Sequence, residues 1–142
     1  MGDGRKRHIV KAISWRFFGS ADTALLGWIF SGSLLTGVKL GGLEVATKTI
    51  LYYFHERLWY KIDRKTYKWA RNSHARHLYK TITWRVIATT DTVLLAWLIT
   101  GDPITGLKIG AAEVVTKMVL YYVHEELWHR TRFGLDKAKA NN

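Results

Sequence analysis

The chain repeats itself. At an offset of 69 residues, His8 to Tyr60 aligns with His77 to His129 without a gap, and about half of the 53 paired positions are identical. The matches are not only apolar: Lys11/Lys80, Trp15/Trp84, Arg16/Arg85, Asp22/Asp91, Trp28/Trp97, Lys39/Lys108, Glu44/Glu113, Lys48/Lys117, His55/His124, Glu56/Glu125 and Trp59/Trp128 all recur. Any fold for this sequence must therefore use one structural unit twice, because a repeat found at this level decides the architecture. Two copies indicate a single duplication; a solenoid array needs more.

Each copy reads as two helices joined by a tight turn. The first copy places them at about Ala12 to Ser33 and Thr36 to Trp59, the second at about Ile82 to Asp102 and Thr105 to Trp128. Segments of roughly 20 residues rising 1.5 Å per residue match a hydrocarbon core of about 30 Å. The turns are Ser31-Gly32-Ser33 and Thr100-Gly101-Asp102-Pro103, and Pro103, the only proline, stands where a helix must stop. The segment from Arg57 to Lys80 and the tail from Arg130 are polar, which predicts solvated connections. The expected organisation is a first two-helix repeat over 1–60, a basic cytoplasmic linker over 61–76, and a second repeat with its tail over 77–142.

Net charge is +11 with a pI near 10.0, which directs attention to nucleic acid or an anionic membrane surface. Placement separates the two. Lys and Arg outnumber Asp and Glu four to one over residues 1–11 and eight to one over 57–80, while turn 31–37 is uncharged and turn 100–106 holds only Asp102. Basic residues at one set of helix ends mark a cytoplasmic side, and no helix face is lined with them as nucleic-acid binding would require. Seven Trp and seven Tyr suit the water–hydrocarbon boundary. A soluble four-helix bundle would show a continuous charged face, yet Ala21 to Leu35 carries one charge and Val93 to Leu107 only Asp102. A cleaved signal peptide is a further alternative for the first helix, but the same helix recurs internally. The absence of cysteine excludes disulfides, thiolate metal sites and cysteine nucleophiles.

One recurring pattern carries a resemblance. Lys11-Ala-Ile-Ser-Trp-Arg16, Asp22-Thr23, Gly-x-Lys39, Glu44-x-x-x-Lys48 and Leu51-Tyr-Tyr-x-His55-Glu56-x-Leu-Trp59 are matched in the second copy. The pattern resembles the small bacterial membrane family known as domain of unknown function 2061. The resemblance covers nearly the whole chain and implies a bacterial inner-membrane protein; it implies no activity.

Charged groups at membrane depth cost about 2.5–3.5 kcal/mol each on insertion scales, so their recurrence needs a cause. On the second helix Glu44, Lys48, Leu51 and His55 fall within about 60° of one another, a single stripe. Gly37-x-x-x-Gly41 and Gly106-x-x-x-Gly110 lie close to it, which predicts a stripe facing protein. Matching depths along antiparallel helices pairs Asp22 with Lys48 and Arg16 with Glu56, and leaves Lys39 to snorkel to the outer headgroups. The candidate polar core is Arg16, Asp22, Glu44, Lys48, His55 and Glu56 with Arg85, Asp91, Glu113, Lys117, His124 and Glu125.

Enzyme signatures are thin. His124-Glu125-Glu126-Leu127-Trp128-His129 has its histidines five apart, diverging by about 140° around a helix, so it does not form a zinc H-E-x-x-H face. Ser14 and Thr83 are expected to satisfy local backbone groups instead of acting as nucleophiles. The sequence therefore predicts an all-α bundle of four transmembrane helices, two tandem hairpins about a pseudo-two-fold axis along the membrane normal, in the bacterial inner membrane with both termini cytoplasmic. No catalysis, cofactor or metal is expected. Its partners would be the bilayer's anionic cytoplasmic headgroups and a homo-oligomer or larger membrane complex, without nucleic acid. Two functions remain open: a conduit or coupling module for protons or small ions, and a non-catalytic accessory or assembly subunit.

Overall fold

The computed structural model describes residues 3–65 and 73–131, with side chains placed over 6–62 and 74–131. It consists of α1 (Asp3–Ser31), α2 (Leu34–Lys65), α3 (Ser73–Thr100) and α4 (Pro103–Arg130), with no strand among the described residues. Both hairpin turns are set by a glycine in the left-handed region. Gly32 and Gly101 adopt φ of 72° and 73°, and their amides close onto Trp28 and Trp97 carbonyls at 2.8 and 2.7 Å, the left-handed cap that ends a helix. The next helix starts at once: Ser33 Oγ accepts from the Thr36 amide at 3.3 Å, and Asp102 accepts from Ile104 and Thr105 amides at 3.1 and 3.0 Å, with Pro103 in the first turn. The Thr105 hydroxyl and those amides hold the Asp102 carboxyl below the usual carboxylate range. The cap is thus present at neutral pH and is lost as pH falls through that lowered value.

The helices extend beyond the expected inner boundaries. α1 begins at Asp3 instead of near Ala12, and α2 continues to Lys65 instead of ending near Trp59. Within the expected 61–76 linker, 61–65 continue α2 and 73–76 begin α3, while 66–72 and the expected tail over 132–142 lie outside the described residues. Polarity argues against burial, not against helix: Lys and Arg are good helix formers, and a solvated helix end keeps its backbone bonds.

The helices form a ring, α1 against α2 and α4, α3 against α2 and α4. Within each hairpin the contact is made by small residues. A Cβ at Gly41 would stand 2.8 Å from the Ser20 carbonyl oxygen, one at Gly106 2.7 Å from that of Val93, and one at Gly27 2.9 Å from the Gly37 Cα. Gly27 is matched by Ala96 in the second copy, so the first hairpin has the smaller residue there. Above the middle of the ring lies a small apolar layer of Leu26, Leu40, Ala96 and Ile109, joined by Leu95, Ile99 and Ala112.

Burial is inverted relative to a water-soluble bundle. Asp22, Thr23, Glu44, His55, Thr92, Glu113 and His124 are buried, while Phe17, Leu98 and Tyr122 are 70%, 78% and 72% exposed among many other large apolar residues. Contiguous apolar surface of this extent marks contact with lipid or another protein. Among the described residues one helix, His74–Thr100, is long and apolar enough by composition alone to cross a membrane.

The close approach within hairpins yields a test. Gly41→Ala combined with Gly106→Ala should lower the melting temperature in detergent, since overpacking a tight contact costs about 1–3 kcal/mol. Gly42→Ala, where a Cβ meets nothing within 4 Å, should be neutral or slightly stabilising. Equal behaviour of the two variants would mean that the helices within each hairpin do not approach as described.

Candidate functional site

The polar core is built in levels along the ring, and each level contains the same bond twice. At the centre, α2 and α4 present Glu44 and Lys48, and Glu113 and Lys117, on facing stripes. Lys48 Nζ reaches Glu113 Oε1 at 2.8 Å and Lys117 Nζ reaches Glu44 Oε1 at 2.7 Å, while each lysine also bonds the glutamate four residues before it on its own helix. The result is a closed ring of four alternating charges in which Glu44 and Glu113 are 3% and 5% exposed. Each carboxylate uses Oε1 for both lysines, and neither Oε2 has a hydrogen-bond partner among the described residues. Lys117 Nζ additionally contacts Thr23 Oγ1 at 3.1 Å.

Beside this ring the two aspartates accept hydroxyl bonds from the other copy. Thr116 donates to Asp22 Oδ2 and Thr47 to Asp91 Oδ2, each at 2.8 Å. Here the expected pairing of Asp22 with Lys48 is corrected: Lys48 is committed to Glu44 and Glu113. The expected Arg16–Glu56 pair is corrected too. Arg16 Nη1 donates to Thr49 Oγ1 at 3.1 Å, and Glu56 binds Lys80 of the second copy at 2.7 Å, mirrored by Lys11 with Glu125 at 2.7 Å. Arg16 and Arg85 are exposed at their residues' level, as are Lys39 and Lys108 at the opposite end.

Nearer the chain termini, each histidine joins a hydroxyl and an indole. His55 Nε2 lies 2.9 Å from Thr83 Oγ1, and Trp59 Nε1 donates toward both at 3.1 and 3.2 Å; Ser14, His124 and Trp128 repeat this at 2.9, 3.1 and 3.3 Å. Thr83 gives its single hydroxyl hydrogen to the Lys80 carbonyl at 3.1 Å, and Ser14 gives its own to Lys11 at 3.0 Å. Each indole N–H is thus shared between a hydroxyl oxygen and an imidazole Nε2, and neither histidine Nδ1 has a bonding partner among the described residues. Both hydroxyls are thus engaged with backbone. Trp15 packs edge-on to Tyr121 at 5.3 Å and Tyr52 to Trp84 at 5.1 Å, and Arg7 lies over the Trp128 ring at 5.5 Å.

Of the twelve residues singled out in the sequence, ten enter bonds between the copies: Asp22, Glu44, Lys48, His55 and Glu56 with Asp91, Glu113, Lys117, His124 and Glu125. Among the described residues Arg16 and Arg85 do not. Thr47, Thr116, Lys11, Lys80 and the Ser14/Thr83 pair belong to the network and lie outside that set of twelve. Their signal was available, since each recurs as the same or a similar residue at the 69-residue offset. Among the described residues no group of three or more metal-ligating side chains converges.

The family model described as "Predicted membrane protein (DUF2061)" matches residues 9–60 and again 78–129. No curated protein and no solved structure matches the chain. The two matched segments coincide with the two hairpins.

Exchanging charges separates bonds within a copy from bonds between copies. Glu44→Lys with Lys48→Glu keeps the pair along α2 but sets the new glutamate against Glu113 and the new lysine against Lys117. Such a break in a buried pair should cost on the order of 3–5 kcal/mol. Adding Glu113→Lys and Lys117→Glu restores opposite charges everywhere and should recover most of the loss in thermal melting. A one-copy exchange that melts like the parent would show that each lysine serves only its own helix.

Proposed function

We propose a membrane-spanning accessory or assembly role for this chain, which belongs to the DUF2061 family of predicted membrane proteins. In this reading all four helices cross the bilayer of the bacterial inner membrane, α1, α2 and α4 tolerating the central charges Asp22, Glu44, Lys48, Glu113 and Lys117 because these are bonded inside the ring. The termini and the linker face the cytoplasm, where the basic residues gather. The chain is non-catalytic, and its apolar outer face meets lipid and, in places, a partner subunit.

The observation that carries this preference over a conduit is the seal across the ring. Leu40 and Ile109, each 0% exposed, sit four residues before Glu44 and Glu113, about 6 Å further along the helix axis. Leu26 and Ala96 complete the layer. An ion would have to part both this apolar layer and a ring of charges that already neutralise one another. Pathways for ions or protons use titratable groups facing a wetted interior, and the seal opposes one.

Topology is checked with cysteines, since the chain has none of its own. Introduced at Ser33 and Asp102 they should react with an impermeant maleimide in sealed cells, and at Lys65 and Asn141 they should not; external labelling at Lys65 would reverse the orientation. Transport is checked in liposomes. The parent should give no proton, cation or anion flux above empty vesicles, and flux that disappears in Asp22→Leu/Lys48→Met made in both copies would replace the accessory reading with the conduit.

A further inference from the structure

Below the charge ring, on the side of the chain termini, the helices line a half-open chamber of about 410 Å³, within the range of small-molecule sites. Its walls come from all four helices, and its principal members are copy-related: Trp15 with Trp84, Arg16 with Arg85, Tyr52 with Tyr121, and Lys48 with Lys117. Such pairing places the chamber on the pseudo-two-fold axis. Glu44, the carboxylate in its lining, is already bonded to Lys48 and Lys117.

The charges do not cancel there. Two lysines are answered by two glutamates, but neither guanidinium has a carboxylate within ion-pair distance among the described residues, and the bond Arg16 makes is to the neutral Thr49 hydroxyl. The chamber thus carries two uncompensated positive charges on the residue type whose planar fork suits oxyanions. Both arginines remain accessible, as receptors must. We propose that this chamber binds a phosphate-type oxyanion, held by Arg16 and Arg85 between the aromatic walls. The anion is supplied either as free phosphate from the aqueous side or as the headgroup of an anionic lipid, which basic pockets between helices on the cytoplasmic side also accept. The site is independent of the accessory role and stands or falls separately from it.

The test uses the full chain purified in a nonionic detergent and washed free of lipid. Thermal melting is followed while sodium phosphate is titrated against sodium chloride at equal ionic strength. The parent should show a saturable rise specific to phosphate. Arg16→Gln/Arg85→Gln should weaken it by roughly tenfold or more, about the effect of losing one charge-assisted bond. Lys39→Gln/Lys108→Gln, at the opposite end, should leave it unchanged. Should the glutamine variant not fold, Arg16→Lys/Arg85→Lys keeps the charge but loses the fork and should still bind more weakly than the parent. Native mass spectrometry of the unwashed protein identifies the source: retained phosphatidylglycerol that competes with phosphate assigns a lipid headgroup, and binding of phosphate without retained lipid assigns the free anion. A parent that neither responds to phosphate beyond chloride nor retains anionic lipid overturns the site, as do arginine variants that respond like the parent.

Discussion

The exchange of lysines between Glu44 and Glu113 is the constraint from which the rest of the architecture follows. A carboxylate removed from water must be paired and bonded or it is not tolerated. Here each is paired twice, once along its helix and once across the ring, so α2 and α4 are tied on the diagonal by long side chains instead of by backbone packing. Their backbones are not packed against each other as those of neighbouring helices in the ring are. The chamber lined by Trp15, Trp84 and the two arginines occupies the separation.

Two kinds of adhesion divide the work. Inside a hairpin, Gly27, Gly37 and Gly41 of the first copy and Gly106 and Gly110 of the second let backbones come within reach of each other, so dispersion holds the pair and few polar groups are needed. Between hairpins the contact is polar: Thr116 to Asp22, Thr47 to Asp91, Lys11 to Glu125, Lys80 to Glu56, and the two histidine clusters. Hydrogen bonds are directional where dispersion is not, so they set the depth at which one hairpin meets the other. The hairpin is a packed unit, and the polar network fixes how two such units register.

Much of this was legible in the sequence. The 69-residue repeat gives two hairpins, the stripe of Glu44, Lys48 and His55 gives the inward face of α2, and the glycines give its neighbour. The partners of Asp22 and Glu56 were not legible, for a geometrical reason. Because the copies are related by a two-fold arrangement, α2 and α4 pass α1 at equal depth, so matching depths cannot distinguish Lys48 from Lys117 or Thr47 from Thr116. That choice depends on which helix lies on which side of α1, a property of the ring and not of any segment. The inner helix ends were missed for a different reason: charged residues such as Lys61 are as compatible with a solvated helix as with a loop.

The tandem arrangement also changes how such a bundle can vary. Were the same ring assembled from two identical single-copy chains, any substitution would land at both equivalent positions and have to suit both. Here it lands once. Gly27 and Ala96, at the same position of the two hairpins, show the outcome: a Cβ the second hairpin accommodates would press on Gly37 in the first. Covalent linkage has freed the halves from strict identity, so one wall of the bundle can acquire a property the other lacks while the reciprocal bonds between them persist.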